Sequence, residues 1–374
     1  MMVNFGNLTL LMAFIVCSYG LVTSILGGWK YRPGLIESAR RSVLATYALV
    51  SIACAVLIAL IINNQFNVQY VYSVSNIDLP LFYKITGLWA GHDGSLLFWS
   101  WVLLTYASAA VILTRKKFQV MQPWIIMVLL GTTHFFLVLN IFVANPFGEW
   151  MQHLPDGTYA SFMPMDGRGL NPLLQHPAMV IHPPVLYFGL IGFVVPFAFA
   201  FAALMTRQLG IDWIKATRRW TLTSWFFLSC GIMLGGKWAY VELGWGGYWA
   251  WDPVENASLM PWLTGTAFLH SVMIQERKGM LKVWNIVLIV ATYLLSILGT
   301  FLTRSGVVSS VHSFAASSIG WYFLTFIGIA VIALTYLIII RLPYLRSEHE
   351  LDSVVSRESA FLFNNLLFVL ACLS

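Results

Sequence analysis

Long apolar runs separated by short polar segments make up most of this chain. A helix needs about 20 apolar residues to cross the hydrocarbon of a bilayer, which is about 30 Å thick, because each residue advances the helix by about 1.5 Å. The runs that meet this length predict nine membrane-spanning helices, at residues 5–27, 42–62, 95–114, 122–144, 184–206, 220–241, 256–275, 283–302 and 320–341.

A tenth apolar run begins near Ala360 and reaches Ser374 only 15 residues later. A run of that length crosses a bilayer only with thinning of the membrane. The first run is preceded by no Lys or Arg and is longer than the core of a signal peptide, so we interpret it as a retained span. The expected fold is therefore one all-α membrane domain over residues 1–374, with nine complete spans, a truncated tenth and an outer N-terminus.

Composition excludes a water-soluble globular protein. The chain is 59% hydrophobic and 10% charged, whereas soluble domains hold roughly 45–50% apolar and about 25% charged residues. The net charge of +6 does not indicate a nucleic-acid binder, because Lys and Arg occur in short separated clusters. The four cysteines form no CxxC motif, which excludes a thiol oxidoreductase, a zinc ribbon and a cytochrome that carries its own covalent haem.

The positive charges alternate from loop to loop. The loops after the first, third, fifth, seventh and ninth spans hold 17 of the 21 Lys and Arg residues. Short cytoplasmic loops retain positive charge, so the N-terminus and the even-numbered loops should lie outside, in the periplasm of a Gram-negative host. Three outer segments, 145–183, 235–256 and 303–319, should therefore meet on one membrane face.

One outer segment is unusually aromatic. Trp245, Tyr248, Trp249 and Trp251 lie within seven residues, interleaved with glycines. Trp and Tyr favour the membrane interface, but clustered indoles beside glycines also offer flat faces to a planar apolar ligand. Both interpretations are open at this stage.

The end of this segment has the pattern of a helix start. Asp252, Pro253 and Glu255 fit the N-cap, N1 and N3 positions of a helix. Two carboxylates three residues apart also suit acid–base chemistry. Capping accounts for them without that chemistry.

Position along the spans separates the histidines. His182 precedes a Pro-Pro pair, which predicts an extended residue at the outer surface just before the fifth span. His312 lies beyond the eighth span, on the same side. His270 and His134 fall within the bilayer, where an ionisable side chain is normally functional or hydrogen-bonded to a neighbouring helix. A neutral imidazole is a good ligand for haem iron, and both outer histidines could reach a ligand resting on the aromatic segment. We expect the other loop histidines to be solvated, with His176 the nearest rival of His182 as an outer iron ligand.

Four stretches of sequence together resemble the CcmF family of cytochrome c-type biogenesis haem lyases. They are the tryptophan-rich "WWD" signature at Trp245–Asp252, its continuation to Trp262 with His270 beyond it, the His182–Tyr187 segment, and the stretch from Thr303 to His312. The resemblance covers nearly the whole chain. Family members continue well beyond residue 374, so the C-terminal part of the family is expected to be absent.

The resemblance implies haem at two places. His182 and His312 would ligate a transferred haem on the outer face, with the loop of Trp245, Tyr248, Trp249, Trp251 and Asp252 under the porphyrin. His270 would be one axial ligand of a b-type haem in the membrane, which keeps the outer iron ferrous. The second ligand of that haem would belong to the absent part.

The resemblance also implies the setting of the reaction. The lyase would act within a complex in the bacterial inner membrane, with its haem site in the periplasm. Its partners would be a haem chaperone, apocytochrome c, and the maturation subunits that reduce and present the apocytochrome thiols.

Two other functions fit parts of the sequence. A CcmC-like haem transfer protein shares the tryptophan signature between two outer histidines, but is shorter and lacks a counterpart of His270. A membrane b-type cytochrome that only transfers electrons needs paired histidines inside the bilayer and no aromatic platform outside.

Overall fold

Most of the residues that the structure describes are helical. The structure is a computed structural model and describes residues 1–154, 157–308, 310, 319–345 and 357–372. The helices in these residues are α1 (Met2–Trp29), α2 (Pro33–Ile62), α3 (Gln69–Val74), α4 (Leu81–Ala90), α5 (His92–Leu113), α6 (Gln122–Phe142), α7 (Pro177–Gly192), α8 (Val194–Thr206), α9 (Asp212–Glu242), α10 (Pro253–Lys278), α11 (Lys282–Ser305), α12 (Gly320–Arg341) and α13 (Arg357–Ala371). A short antiparallel hairpin, β1 (Met151–His153) and β2 (Tyr159–Ser161), lies between α6 and α7.

Seven segments in the described residues are long and apolar enough to span a membrane. They are α1, α2, α5, α6, the pair α7 and α8 taken together, α11 and α12. The expected helical membrane class is thus confirmed, although a two-stranded sheet is also present, whereas the expected count of nine spans plus a truncated tenth is not confirmed. The predicted sixth and seventh spans do form helices, α9 and α10, but they fall outside this set.

Helices α9 and α10 contact each other through polar side chains. Trp225 Nε1 donates to Thr266 Oγ1 at 2.8 Å, and Trp262 Nε1 donates to Ser229 Oγ at 2.8 Å. Such bonds between helices satisfy polar groups where water is absent.

The helix pair α7 and α9 packs closely through glycines. A Cβ atom on Gly189 would lie 2.3 Å from the backbone nitrogen of Leu228, and one on Gly231 would lie 2.6 Å from Cα of Leu186. Only glycine permits backbones to approach this closely. This contact holds His182, on α7, against α9.

The start of α7 differs from the prediction. We predicted that the fifth span begins after His182, at the Pro-Pro pair, but α7 begins at Pro177 and includes both prolines. The side chain of His176 caps this helix, with its Nδ1 accepting a hydrogen bond from the Ala178 N–H at 3.1 Å. His182 therefore lies inside a helix and not in an extended loop. The cap and Pro177 at N1 start the helix early enough to override the breaking tendency of the later prolines.

The two other segments that we predicted to lie outside begin later in the chain than predicted. Helix α9 continues to Glu242, which leaves residues 243–252 as the tryptophan loop, and α11 continues to Ser305.

Candidate functional site

A cavity of about 310 Å³ opens between five helices, near the N-terminal half of α7 and the C-terminal end of α9. Its lining comes from α4, α7, α9, α10 and α11, together with residues of the segment that precedes α7. The side chains on which the argument below depends are Trp89, His182, Tyr187, Trp238 and Arg304. The volume and the mixture of apolar walls with a few polar groups are typical of a small-molecule site.

His182 is fixed in one orientation on this cavity. Its Nδ1 lies 2.8 Å from the carbonyl oxygen of Gly231. Because a carbonyl only accepts, Nδ1 must carry the proton, and in the neutral ring the lone pair then lies on Nε2. Metal-binding histidines are typically held in this way by a backbone carbonyl.

Gly235 gives the imidazole its place on α9. A Cβ atom at this position would lie 2.5 Å from Cε1 and 3.1 Å from Nε2 of His182. The ring therefore packs directly on the backbone of α9, and any side chain at Gly235 would displace it.

Arg304 places a buried positive charge on the same cavity. Only 1% of its surface is exposed. Its guanidinium donates to Ser95 Oγ at 2.9 Å and to the Tyr187 hydroxyl at 3.2 Å. On sequence grounds Arg304 and Lys237 suited either pairing with an anionic group, such as a haem propionate, or snorkelling to the interface. Lys237 is exposed, but the burial of Arg304 rules out snorkelling for that residue.

The wall formed by α4 is braced by Tyr70 of α3. Its hydroxyl donates to the Gly87 carbonyl at 2.6 Å and accepts from the Gly91 N–H at 3.1 Å. Burial raises the pKa of Tyr70 far above its ordinary value, so the hydroxyl stays protonated and keeps both bonds. This brace holds Trp89 and Ala90 at the cavity.

The tryptophan loop lies beside this cavity and does not line it. Trp245, Tyr248, Trp249 and Trp251 are all absent from its walls, which instead include Trp238 and Val254, on the two helices that flank the loop. Tyr248 stacks on Tyr240 of α9 with ring centroids 4.5 Å apart. Much of the aromatic surface is open, with Trp251 71% and Tyr248 61% exposed.

The backbone of the loop bends sharply at two residues. Gly246 has φ of +68° and Trp251 has φ of +58°. The left-handed conformation suits glycine but is rare for a bulky side chain. At Trp251 it turns the chain immediately before Asp252.

Asp252 caps α10 as predicted. Its carboxylate accepts a hydrogen bond from the Val254 N–H at 3.1 Å, and Glu255 accepts one from the Ala250 N–H at 2.8 Å. The hydroxyl of Ser310 also donates to the Asp252 carboxylate. This last bond joins the tryptophan loop to the segment that leads to His312, which itself lies outside the described residues.

We expect Asp252→Ala to destabilise the protein by about 1 kcal/mol, because the N-cap is lost. Asp252→Asn keeps an oxygen acceptor and should stay near the wild type. Thermal unfolding in detergent measures the difference. Equal stability of the Ala and Asn variants would argue against a capping role.

His270 lies on α10 in a different environment. It lines a second cavity, of about 470 Å³, between α9 and α10, which also contacts Arg218 and Trp225. Its Nδ1 is buried and has no hydrogen-bond partner among the described residues. A buried imidazole nitrogen without a partner is costly, so His270 lacks an interaction that its burial calls for.

The other described histidines have structural partners. His134 of α6 lies 3.3 Å from Ser18 Oγ and stacks on Phe14, both on α1, which fits the structural role weighed for it from sequence. His92, expected to be solvated, instead has Nδ1 2.9 Å from Asp93 Oδ1 and a side chain that is 19% exposed. His176 caps α7 and lies 3.8 Å from Glu242. His349 and the side chain of His153 lie outside the described part.

Comparison with known proteins identifies the family. Residues 89–308 match the family model described as "Cytochrome C assembly protein". The chain belongs to the cytochrome c assembly protein family. The matched range includes the tryptophan loop, His182, His270 and Arg304.

Members of the cytochrome c assembly family named CcmF resemble the chain along its whole length. It is 39% identical to "Cytochrome c-type biogenesis protein CcmF" of Haemophilus influenzae and 38% identical to that of Escherichia coli, over 99% and 100% of this chain and 56% of each relative. A solved structure titled "Cytochrome c Heme Lyase CcmF" superposes with a TM-score of 0.80 at 29% identity, covering 100% of this chain and 55% of that one. The resemblance to CcmF is thereby confirmed. The chain spans about half the length of the relatives it matches.

Proposed function

We propose that this chain forms the haem-handling part of a cytochrome c haem lyase. The observation that carries the proposal is the hydrogen bond from His182 Nδ1 to the Gly231 carbonyl, on a cavity-lining histidine. This bond leaves the lone pair on Nε2, the arrangement that ligation of an iron requires. The names of the relatives support the same function.

The reaction is the addition of a thiol across a vinyl group. Each cysteine of a CxxCH motif adds its sulfur to one vinyl carbon of haem and its proton to the other. A thioether therefore forms without an oxidant or a reductant. The chain supplies position and not reacting atoms, which is the usual division of labour between a protein and its cofactor. Haem on the outer face is the substrate here, held by His182 and His312.

Two other features would orient the outer haem. The buried guanidinium of Arg304 suits an anionic propionate, since arginine binds carboxylates with charge-assisted hydrogen bonds. The exposed rings of Trp245, Tyr248 and Trp251 and the half-buried ring of Trp249, in the loop that Asp252 ends, suit stacking on the porphyrin or on the apocytochrome that approaches it.

A resident b-type haem is proposed at His270. The buried Nδ1 without a described partner and the cavity of about 470 Å³ fit such a group. Haem bound there would supply one-electron chemistry. His134 is not proposed as its second ligand, because its ring is engaged by Ser18 and Phe14 on α1.

The proposed setting is the bacterial inner membrane, with the His182 cavity facing the periplasm. The proposed partners are a haem chaperone, apocytochrome c and the subunits that reduce and present its thiols. A CcmC-like transfer protein would use the same outer site without His270. An electron-transfer cytochrome would use His270 without the outer cavity.

Absorption spectra of detergent-purified protein, with pyridine extracts, test these assignments. We expect His270→Ala to remove the resident haem, and His182→Ala or His312→Ala to remove only haem supplied from outside. Loss of all colour in the His270 variant alone, with no effect at His182, would favour the electron-transfer cytochrome. Full haem content in all three variants would refute the proposal.

A further inference from the structure

Helix α13 crosses α10 at the level of His270. The ring of His270 lies 6.3 Å from that of Phe361 and 6.1 Å from that of Phe368, measured between centroids. Further along α13, Cys372 Sγ lies 3.6 Å from the carbonyl oxygen of Met260. The two helices are therefore antiparallel, and His270 lies opposite the midpoint between the two phenylalanines.

Asn365 occupies that midpoint. It follows Phe361 by four residues and precedes Phe368 by three, so all three share the face of α13 that contacts α10. Asn365 is 0% exposed, although its neighbour Asn364 is exposed. A buried amide is unusual in a helix that is otherwise rich in Leu and Phe.

Neither polar atom of the Asn365 side chain has a hydrogen-bond partner within the residues described, and the same is true of His270 Nδ1. Two buried polar groups without partners therefore lie at the same level of facing helices. An amide offers an acceptor, and a protonated Nδ1 offers a donor. Each group therefore supplies what the other lacks.

We propose that Asn365 is a positioning residue for His270, with its amide oxygen accepting a hydrogen bond from Nδ1–H. This inference rests on the proposed function, in which His270 ligates a resident haem. The bond fixes the tautomer, so that the lone pair lies on Nε2, and it increases the electron donation of the ring to the iron. The phenylalanines on either side of Asn365 limit rotation of the imidazole.

Substitution of the two adjacent asparagines tests the proposal. Asn365→Leu removes the acceptor at similar volume, Asn365→Asp strengthens it, and Asn364→Leu is the matched control. We expect Asn365→Leu to weaken haem retention by about 10- to 100-fold and to raise the midpoint potential of the haem. Asn365→Asp should lower the potential below that of the wild type, and Asn364→Leu should change neither property.

A packing defect would not shift the midpoint potential in opposite directions in the Asn365→Leu and Asn365→Asp variants. A wild-type potential in both Asn365 variants would overturn the inference. If Asn365→Leu fails to accumulate, two other measurements test the inference. They are the midpoint potential of the Asn365→Asp variant and the imidazole ¹⁵N resonances of haem-free wild-type protein. The proposal requires a single His270 tautomer protonated at Nδ1, and a mixture of tautomers would refute it. Full haem content in His270→Ala would instead refute the proposed inner haem.

Discussion

His182→Ala and His312→Ala should each abolish the formation of holocytochrome c while the protein accumulates normally in the membrane. His182 is held on the cavity through its Nδ1, so truncation removes a proposed iron ligand and its bond to Gly231, but leaves the close backbone contacts of Gly189 with Leu228 and of Gly231 with Leu186. Haem staining of c-type cytochromes, with immunoblotting of the variant, measures both quantities in cells that carry the rest of the maturation system.

His176→Asn is the matched control for the His182 variant. His176 was the nearest rival from sequence, and Asn keeps an acceptor for the cap on the Ala178 N–H while removing the imidazole. Cytochrome c levels should stay close to those of the wild type. Normal levels in both the His182 and His312 variants would end the assignment of the outer ligands.

Gly235→Ala is expected to weaken haem binding at His182, although it leaves every proposed ligand in place. The added methyl would lie 2.5 Å from Cε1 of His182, and the ring has to move away from its bond to Gly231. Disturbing the support of a metal ligand typically costs about 10- to 100-fold in affinity. Titration of haem into purified protein, followed by absorption, measures this loss.

Gly244→Ala controls for the loss of a glycine in the same region. An added Cβ at Gly244 meets nothing within 4 Å, and we expect unchanged haem affinity. Wild-type affinity in Gly235→Ala would mean that the imidazole is not constrained by α9. The orientation inferred for His182 would then be wrong.

Prediction from the sequence was correct for features that depend on one short segment of the chain. Asp252, Pro253 and Glu255 form the start of α10 as their spacing predicts, because a cap depends on residues within one turn. The apolar runs likewise form helices, since backbone groups in lipid must bond within their own segment. The same rules misplaced the start of α7, because the cap at His176 outweighs the signal of the Pro-Pro pair.

The walls of the cavity were not predictable in the same way. Trp89, Trp238 and Arg304 come from three helices far apart in sequence, and no local pattern distinguishes them from interfacial residues. The aromatic cluster at Trp245–Trp251 drew attention because it is dense in sequence, yet its side chains lie beside the cavity. A high local density of tryptophan marks the region of the site without identifying the residues that enclose it.

The sequence by itself determined the membrane class, the helices, the side of the membrane on which each loop is expected, and the motifs that indicate the family. Each of these depends on hydropathy, charge or spacing within a short stretch of chain. Only the tertiary structure decided that His182 bonds to Gly231, that Arg304 is buried, and that α13 packs against His270. Those facts depend on which helices pack together, and packing is set by the fit of whole surfaces from distant parts of the chain.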